Sequence, residues 1–119
     1  MRPVQSGLTA SLSAALVFAA AAPLAASPGE VAVTLTLKDH KFDPAAFTVP
    51  AGVKVRINLN NQDRATEEFD SHDLKVEELV TPNGHASFVI GPLKPGAYSF
   101  MGEFHPATAQ GRVIAEARN

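Results

Sequence analysis

Cysteine and tryptophan are absent from this 119-residue chain, and tyrosine occurs once. Without cysteine the chain has neither a disulfide framework nor a thiolate that could act as a metal ligand or nucleophile. It also lacks a nucleophile elbow and a phosphate-binding glycine loop, so hydrolase and kinase functions have no support. An excess of positive charge is missing too, since the formal net charge is −2, which argues against nucleic acid as a partner. The core must be built from aliphatic residues and phenylalanine.

The first 26 residues are typical of a signal peptide. Arg2 gives a positive start, residues 8–22 are uncharged and rich in Ala and Leu, and residues 23–27 offer small residues to signal peptidase. An uncleaved anchor is the alternative, although the apolar run is short for a span of about 20 residues. We expect cleavage near Ala26 and a mature domain over residues 27–119, located in the periplasm. Losing Arg2 leaves 9 bases against 12 acids, a net charge of −3.

Alternation of apolar and polar side chains predicts β-strands along most of the remaining chain. The clearest examples are residues 31–37 and 53–59, where the period of two indicates a half-buried strand. Residues 67–80 fit neither period well and are interpreted as a short strand, a loop and a second short strand, with a short helix as the alternative. Further strands are predicted at residues 47–49, 85–90, 97–101 and 112–117. Seven or eight strands separated by turn signals predict an all-β sandwich, whose functional residues lie in loops at one end.

Glu103 and His105 lie in the predicted loop between the last two strands. Carboxylate and imidazole are groups that bind transition metals. Pro106 stiffens the exit of this loop, and Gly102 and Gly111 let the backbone turn at its ends. The sequence therefore indicates a metal-binding loop, with a solvent-exposed acid and a surface histidine as the alternative.

A second pair of acids, Glu67 and Glu68, follows the polar loop after the third strand. Adjacent residues on a strand point to opposite faces, so only one of the two can reach a shared site. Glu67 has the same parity as Phe69, a predicted core residue, and is the better candidate for the interior. Glu68 would then point outward or support the site indirectly.

Three more histidines and a methionine are weaker candidates. His40 lies in a loop before the Phe42-Asp-Pro44 segment, where a lone histidine is commonly just exposed. His72 could join neighbouring acids in a second cluster, and His85 alternates away from the core face. Met101 could bind Cu(I) through its thioether, but its parity turns it away from Phe100.

The chain from about residue 31 to residue 116 resembles the cupredoxin family. Phe42-Asp-Pro44, residues 47–52 (Phe-Thr-Val-Pro-Ala-Gly), the strand that ends at Asn60, and the final segment 98–114 carry this resemblance. It implies a Greek-key β-sandwich with a metal site in the loops at one end. It also strengthens the case for His40, because in this fold the loop before the Phe-Asp-Pro segment lies at the metal end.

The ligands of blue-copper cupredoxins are a His, a Cys, a second His and a Met. On this chain these positions fall near Glu67, at Gly102, at His105 and near Gln110. Only His105 keeps the ligand type, and the thiolate is missing. The resemblance therefore does not extend to a type 1 copper site.

A closer resemblance is to the Cys-less cupredoxin-like proteins associated with bacterial periplasmic ferrous-iron transport. Residues 67–71, 91–98 and 102–111 carry it. It implies an iron- or copper-binding protein that works with a membrane iron permease and other periplasmic uptake components, and that could oxidise Fe(II) before uptake.

The ligands that we expect are Glu67, Glu103, His105 and His40. Two other functions remain open from sequence. One is a copper-binding or copper-delivery protein with a type 2 site made of the same residues, and the other is a metal-free binding module. A homodimer that brings two sites together is also left open.

Overall fold

The computed structural model of the protein describes residues 23–27 and 29–118, and these residues contain β-strands but no helix. Most of the predicted signal peptide, residues 1–22, lies outside the described residues. Nothing in the described part is a helix long and apolar enough to cross a membrane. The nine strands, numbered in chain order, are β1 (Glu30–Lys38), β2 (Lys41–Asp43), β3 (Ala46–Pro50), β4 (Lys54–Asn61), β5 (Glu67–Ser71), β6 (Val76–Val80), β7 (His85–Ile90), β8 (Gly96–Gly102) and β9 (Gln110–Glu116).

Two sheets face each other, and strands from distant parts of the chain lie side by side in both. The four-stranded sheet has the order β2-β1-β4-β7, and the five-stranded sheet has the order β3-β9-β8-β5-β6. The pairs β1–β4 and β3–β9 are parallel, and the others are antiparallel. The all-β sandwich predicted from the sequence is confirmed, and residues 67–80 form two short strands joined by a turn, as interpreted.

The predicted strand count of seven or eight is wrong, because residues 41–43, which were not predicted as a strand, form one. Asp39 and His40 both adopt left-handed conformations, with φ of 51° and 57°. Positive φ at both central residues is the requirement of a type I′ hairpin turn. The chain therefore reverses at once, and Lys41 pairs with Lys38 to form the short strand β2. The hairpin also brings His40 to the tip of the four-stranded sheet.

Phenylalanine rings fill the space between the sheets, together with buried Leu, Ile and Val side chains. Phe69 on β5 is fully buried, and its ring centroid lies 4.8 Å from that of Phe100 on β8 and 4.9 Å from that of Phe88 on β7. Phe42 on β2 meets Phe100 edge-on at 5.2 Å. Each buried ring contributes about 1.5–3 kcal/mol, so the parity of β5 is strongly fixed. That parity also turns Glu67 inward.

A buried amide holds the β4–β5 loop against the end of the sandwich. Asn61 is 2% exposed, and its Nδ2 donates to the carbonyl oxygens of Ala65 at 2.8 Å and Thr81 at 3.1 Å. Its Oδ1 accepts the backbone N–H of Asp63 at 3.0 Å. The Asn61 side chain thus connects the loop before β5 with the loop after β6.

We expect Asn61→Ala to lower the free energy of unfolding by about 2–4 kcal/mol, because buried carbonyl groups and a backbone N–H lose their partner. Urea unfolding at pH 7 measures this. Asn60→Ala is the matched control, since the Oδ1 of Asn60 hydrogen-bonds the exposed His85, and we expect less than about 1 kcal/mol there. Equal losses for the two variants would contradict the role given to Asn61.

Candidate metal centre

Three side chains with metal-binding groups converge at one end of the sandwich. They come from the β1–β2 turn (His40), the start of β5 (Glu67) and the β8–β9 loop (His105). One ligand atom from each lies within 4.8 Å of the other two. Among residues 23–27 and 29–118 no other group of three His, Asp or Glu side chains meets this distance.

Glu67 is the most buried member, with 1% of its side chain exposed. Its Oε1 accepts the backbone N–H groups of Phe104 at 2.8 Å and of Glu68 at 3.0 Å. Its Oε2 lies 2.6 Å from Nδ1 of His105. Oε1 accepts two backbone N–H groups, whereas Oε2 contacts only the His105 imidazole. Oε2 is therefore the oxygen that this carboxylate can offer to a metal, in exchange for its hydrogen bond to His105. Glu68, its neighbour, is half-buried and points to the opposite face, as strand parity predicts.

His105 lies in a compact turn between β8 and β9. Its N–H donates to the carbonyl oxygen of Gly102 at 3.1 Å, and its own carbonyl oxygen accepts the N–H groups of Thr108 at 3.2 Å and Ala109 at 2.9 Å. The N–H of Gly102 closes the turn by donating to Ala109 at 2.8 Å. The imidazole is 30% exposed. Glu67 and the turn thus hold it in place.

His40 covers one face of the His105 imidazole. Its ring stacks on the ring of His105 with centroids 3.6 Å apart and planes inclined by 11°. It is the more exposed of the two, at 41% of its side chain. The two-residue turn that carries it is therefore what brings a second imidazole to the site.

The three groups suit a transition metal in type and spacing. Bond lengths of about 2.0–2.2 Å place two ligand atoms of one ion no more than about 4.4 Å apart, close to the spacing observed here. The stacked rings impose one condition. An imidazole nitrogen binds an ion lying close to its ring plane, and two nearly parallel planes about 3.6 Å apart cannot share such a point. One ring must turn, and His40 is freer to do so because Glu67 hydrogen-bonds His105.

The carboxyl of Glu67 also occupies the space that a side chain at position 102 would need. A Cβ built on Gly102 would lie 2.7 Å from Cδ and 2.9 Å from Oε2 of Glu67, and 2.7 Å from Cβ of Ala109. Cysteine is absent from the chain, so there is no type 1 copper site. The Glu67 carboxyl can occupy this place because residue 102 is a glycine.

Glu103, the remaining predicted ligand, lies outside this group. Its side chain is exposed and its carboxyl hydrogen-bonds that of Asp70 on the outer face of the five-stranded sheet. This hydrogen bond, together with the negative charges of Asp70, Glu68 and Glu77, raises the pKa of Glu103 above its ordinary value. Gly102 points inward at the end of β8, so the next residue points out.

The weaker candidates lie elsewhere on the surface. Met101 is 41% exposed and stands opposite Asp70 on the outer face. His72 is exposed in the β5–β6 turn, and exposed His85 on β7 contacts Asn60. None of the three belongs to the convergent group.

Asp63, in the β4–β5 loop, is a residue that the sequence analysis missed. Its carboxylate accepts the N–H groups of Asp39 and His40. Burial by itself would raise its pKa, but these two donors and the nearby imidazoles of His40 and His105 outweigh that effect and hold the pKa of Asp63 below its ordinary value. The only sequence signal was a polar loop, which does not say what an aspartate in it contacts.

The model of the cupredoxin-like domain family matches residues 8–115 of this chain. An uncharacterized protein of Rickettsia prowazekii (strain Madrid E) is 46% identical over 82 residues, which make up 69% of this chain and 66% of that protein. The match thus spans just under two thirds of the relative's length.

Several solved structures share the fold. The metal-binding domain of a Cu(I)-exporting P-type ATPase of Streptococcus pneumoniae gives a TM-score of 0.65 at 12% identity and covers 77% of this chain and 91% of that one. Auracyanin A, a "blue" copper protein from Chloroflexus aurantiacus, gives 0.65 at 16% identity and covers 74% and 100%. Amicyanin from Paracoccus versutus gives 0.56 at 20% identity and covers 71% and 81%. At these identities the likeness shows the fold alone, and it confirms the predicted cupredoxin-like sandwich.

We expect Gly102→Ala to cost about 1–3 kcal/mol of unfolding free energy, because the new methyl group overlaps the Glu67 carboxyl and the Ala109 side chain. In a Glu67→Ala background the same substitution should cost at least about 0.5 kcal/mol less, since one of the two obstacles is gone. Urea unfolding of the two single variants and the double variant gives this coupling. Identical costs in both backgrounds would show that the carboxyl does not fill the space.

We expect Glu103→Gln to raise the melting temperature at pH 7 and to change it little at pH 3.5. The raised pKa of Glu103 means that the folded protein holds this proton more tightly than the unfolded chain does, so stability falls as pH rises through that pKa. At pH 7 the substitution removes the repulsion from Asp70 and keeps a donor. Glu116→Gln is the control, because it makes the same charge change at an exposed position at the end of β9, away from the β8–β9 loop. A lower melting temperature for Glu103→Gln at pH 7 would contradict this account.

Proposed function

Because the chain belongs to the cupredoxin-like domain family, we propose that it binds iron or copper through His40, Glu67 and His105. In this proposal the protein is a periplasmic component of an iron-uptake system and oxidises Fe(II) before a membrane permease takes up the iron. The observation that carries the proposal is the convergence of these three side chains at the loop end of a cupredoxin-like sandwich. The predicted signal peptide supports export. The resemblance to Cys-less proteins of ferrous-iron transport supports the uptake role and the permease partner.

The donor set supports iron. Two imidazoles and one carboxylate that leave coordination positions open are the ligands of many non-haem iron sites. An anionic oxygen ligand stabilises Fe(III) more than Fe(II) and so makes the loss of an electron easier. The Oε2 atom of Glu67 provides that charge, and the N–H groups of Phe104 and Glu68 keep the carboxylate fixed through Oε1.

The surroundings of Glu67 define what the protein contributes. The carboxylate lies inside the sandwich with 1% exposure, where its charge acts through a poorly screening medium. His105 and His40 stand between it and solvent. The chain therefore provides one buried carboxylate, two imidazoles and access from one side. A bound iron or copper ion would add one-electron redox chemistry at that place.

The proposed reaction takes one electron from each Fe(II). With dioxygen as the oxidant, four Fe(II) ions and four protons convert one O₂ to four Fe(III) ions and two water molecules. A copper ion held by His40, Glu67 and His105 would supply one-electron redox chemistry for the same overall reaction, with dioxygen as the final oxidant. Sites with nitrogen and oxygen donors bind Cu(II) more tightly than Fe(II) in general, so copper affinity is compatible with both routes.

Copper binding or delivery without iron chemistry is the second candidate. The fold is shared with a domain named as the metal-binding domain of a Cu(I)-exporting ATPase, which favours it. Against it, Met101 lies outside the convergent group and on the outer face, so the described site has no thioether of the kind that Cu(I) prefers.

Anaerobic titration of the purified protein with Fe(II) and separately with Cu(II), followed by addition of O₂, tests the proposal. We expect binding of one ion per chain and faster formation of Fe(III) than in buffer. In Glu67→Gln and His105→Ala the affinity should fall at least about 10-fold, and the faster oxidation should be lost. His85→Ala, which removes an exposed histidine from outside the group, is the control and should behave like the unchanged protein.

Two other results of this titration would contradict the proposal. Tight Cu(II) binding with no effect on Fe(II) oxidation would favour copper handling. No binding of either metal, or binding that survives in both variants, would reject the metal centre and leave a binding module as the function.

A further inference from the structure

Asp63 links the β4–β5 loop to the turn that carries His40. Its Oδ1 accepts the N–H of Asp39 at 2.7 Å, and its Oδ2 accepts the N–H of His40 at 2.9 Å. Both oxygens of one carboxylate are therefore used on two successive backbone donors, 24 and 23 residues away in the chain. The carboxylate is largely buried, with 12% of the side chain exposed.

The turn held by Asp63 is intrinsically unfavourable. Asp39 and His40 are both left-handed, with φ of 51° and 57°, a conformation that is unfavourable for residues other than glycine. A hairpin with two such residues needs compensation from outside, and the two hydrogen bonds to Asp63 supply it. Asp63 is itself fixed, since Oδ1 of the buried Asn61 accepts its N–H.

The same carboxylate lies beside the His40 ring. Its Oδ2 is 3.5 Å from Nδ1 of His40. A carboxylate on the Nδ1 side leaves Nε2 as the nitrogen that can face an ion, the usual arrangement for a ligating histidine supported by a carboxylate. Asp63 thus acts on both the backbone and the ring of His40.

The stacked rings show why a fixed backbone matters. His40 and His105 cannot bind one ion while their planes are parallel and about 3.6 Å apart. If the His40 backbone stays in place, a rotation of its side chain is enough to leave the stack. If the turn could move as well, the imidazole would sample many positions away from Glu67 and His105, and the entropy lost on binding would be larger.

We propose that Asp63 is a positioning residue of the metal centre, which anchors the His40 turn so that the imidazole can rotate from its stack on His105 toward an ion shared with Glu67. This inference rests on the proposed function, because it assigns His40 as a ligand. It concerns a residue that contacts no metal and acts only through His40.

Cu(II) is the probe for the test, with its affinity measured by competition against a chelator and its ligand field measured by electron paramagnetic resonance. The variants are Asp63→Ala, His40→Ala and the double variant. We expect each single variant to bind Cu(II) about 10-fold more weakly, the double variant to bind no more weakly than His40→Ala, and the spectrum of Asp63→Ala to match that of His40→Ala.

Asp73→Ala is the matched control. Its carboxylate also accepts a backbone N–H, that of Ser99 at 2.9 Å, together with the Ser99 hydroxyl at 3.0 Å, but it serves the β5–β6 turn. Asp73→Ala removes a stabilising carboxylate that has no positioning role at the metal centre. We expect it to lower the melting temperature and to leave the Cu(II) affinity and spectrum unchanged. Asp63→Asn keeps one acceptor oxygen and replaces Asp63→Ala if that variant does not fold; we then expect an intermediate loss of affinity.

The outcomes separate this inference from the proposed function. Weaker binding in His40→Ala with unchanged binding in the Asp63 variants would overturn the role of Asp63 and leave the metal centre standing. Unchanged binding in His40→Ala, with binding lost in Glu67→Gln and His105→Ala, would also overturn it, since the proposed role of Asp63 is to position His40 as a ligand. Unchanged binding in all of these variants would overturn the proposed function itself.

Discussion

The buried carboxylate of Glu67 is the group on which the rest of this end of the protein depends. An ionised carboxylate inside a sandwich is costly unless several donors meet it, and here three do: the N–H groups of Phe104 and Glu68 and the imidazole of His105. Two of these donors belong to the β8–β9 loop, so the charge fixes that loop. Gly102 must lack a side chain for the same reason. The contacts of this carboxylate thus shape the loop and bring His105 inward. The carboxyl also fills the space that a cysteine at position 102 would need.

The sandwich supplies the conditions for this interaction. Phe69, two residues after Glu67 on β5, is packed against Phe88 and Phe100, and that packing sets which face of β5 is inside. At the other side of the site the support is polar. The buried Asn61 fixes Asp63, and Asp63 holds the His40 turn. Glu67 and His105 are therefore held firmly, whereas His40 is more exposed. A mobile His40 beside two fixed groups would suit a site that admits an ion.

The fold and the interior position of Glu67 could be predicted from the sequence, because both follow from alternation with a period of two. Strand β2 could not, since Asp and His rarely form a left-handed pair and the cause, Asp63, is more than 20 residues away. Glu103 was expected beside His105 from proximity in sequence, yet the inward direction of Gly102 turns the next side chain toward Asp70. The contacts of Asp63 depend on tertiary structure that no local pattern encodes.

X-ray absorption spectroscopy of the Cu(II)-loaded protein tests the central claim most directly, namely that His40, Glu67 and His105 hold one ion. We predict a first shell of nitrogen and oxygen at about 2.0 Å, with outer-shell scattering from two imidazoles. Removal of either His40 or His105 should reduce that scattering to one imidazole. A sulfur scatterer at about 2.3 Å, or two imidazoles that persist without His40, would contradict the account.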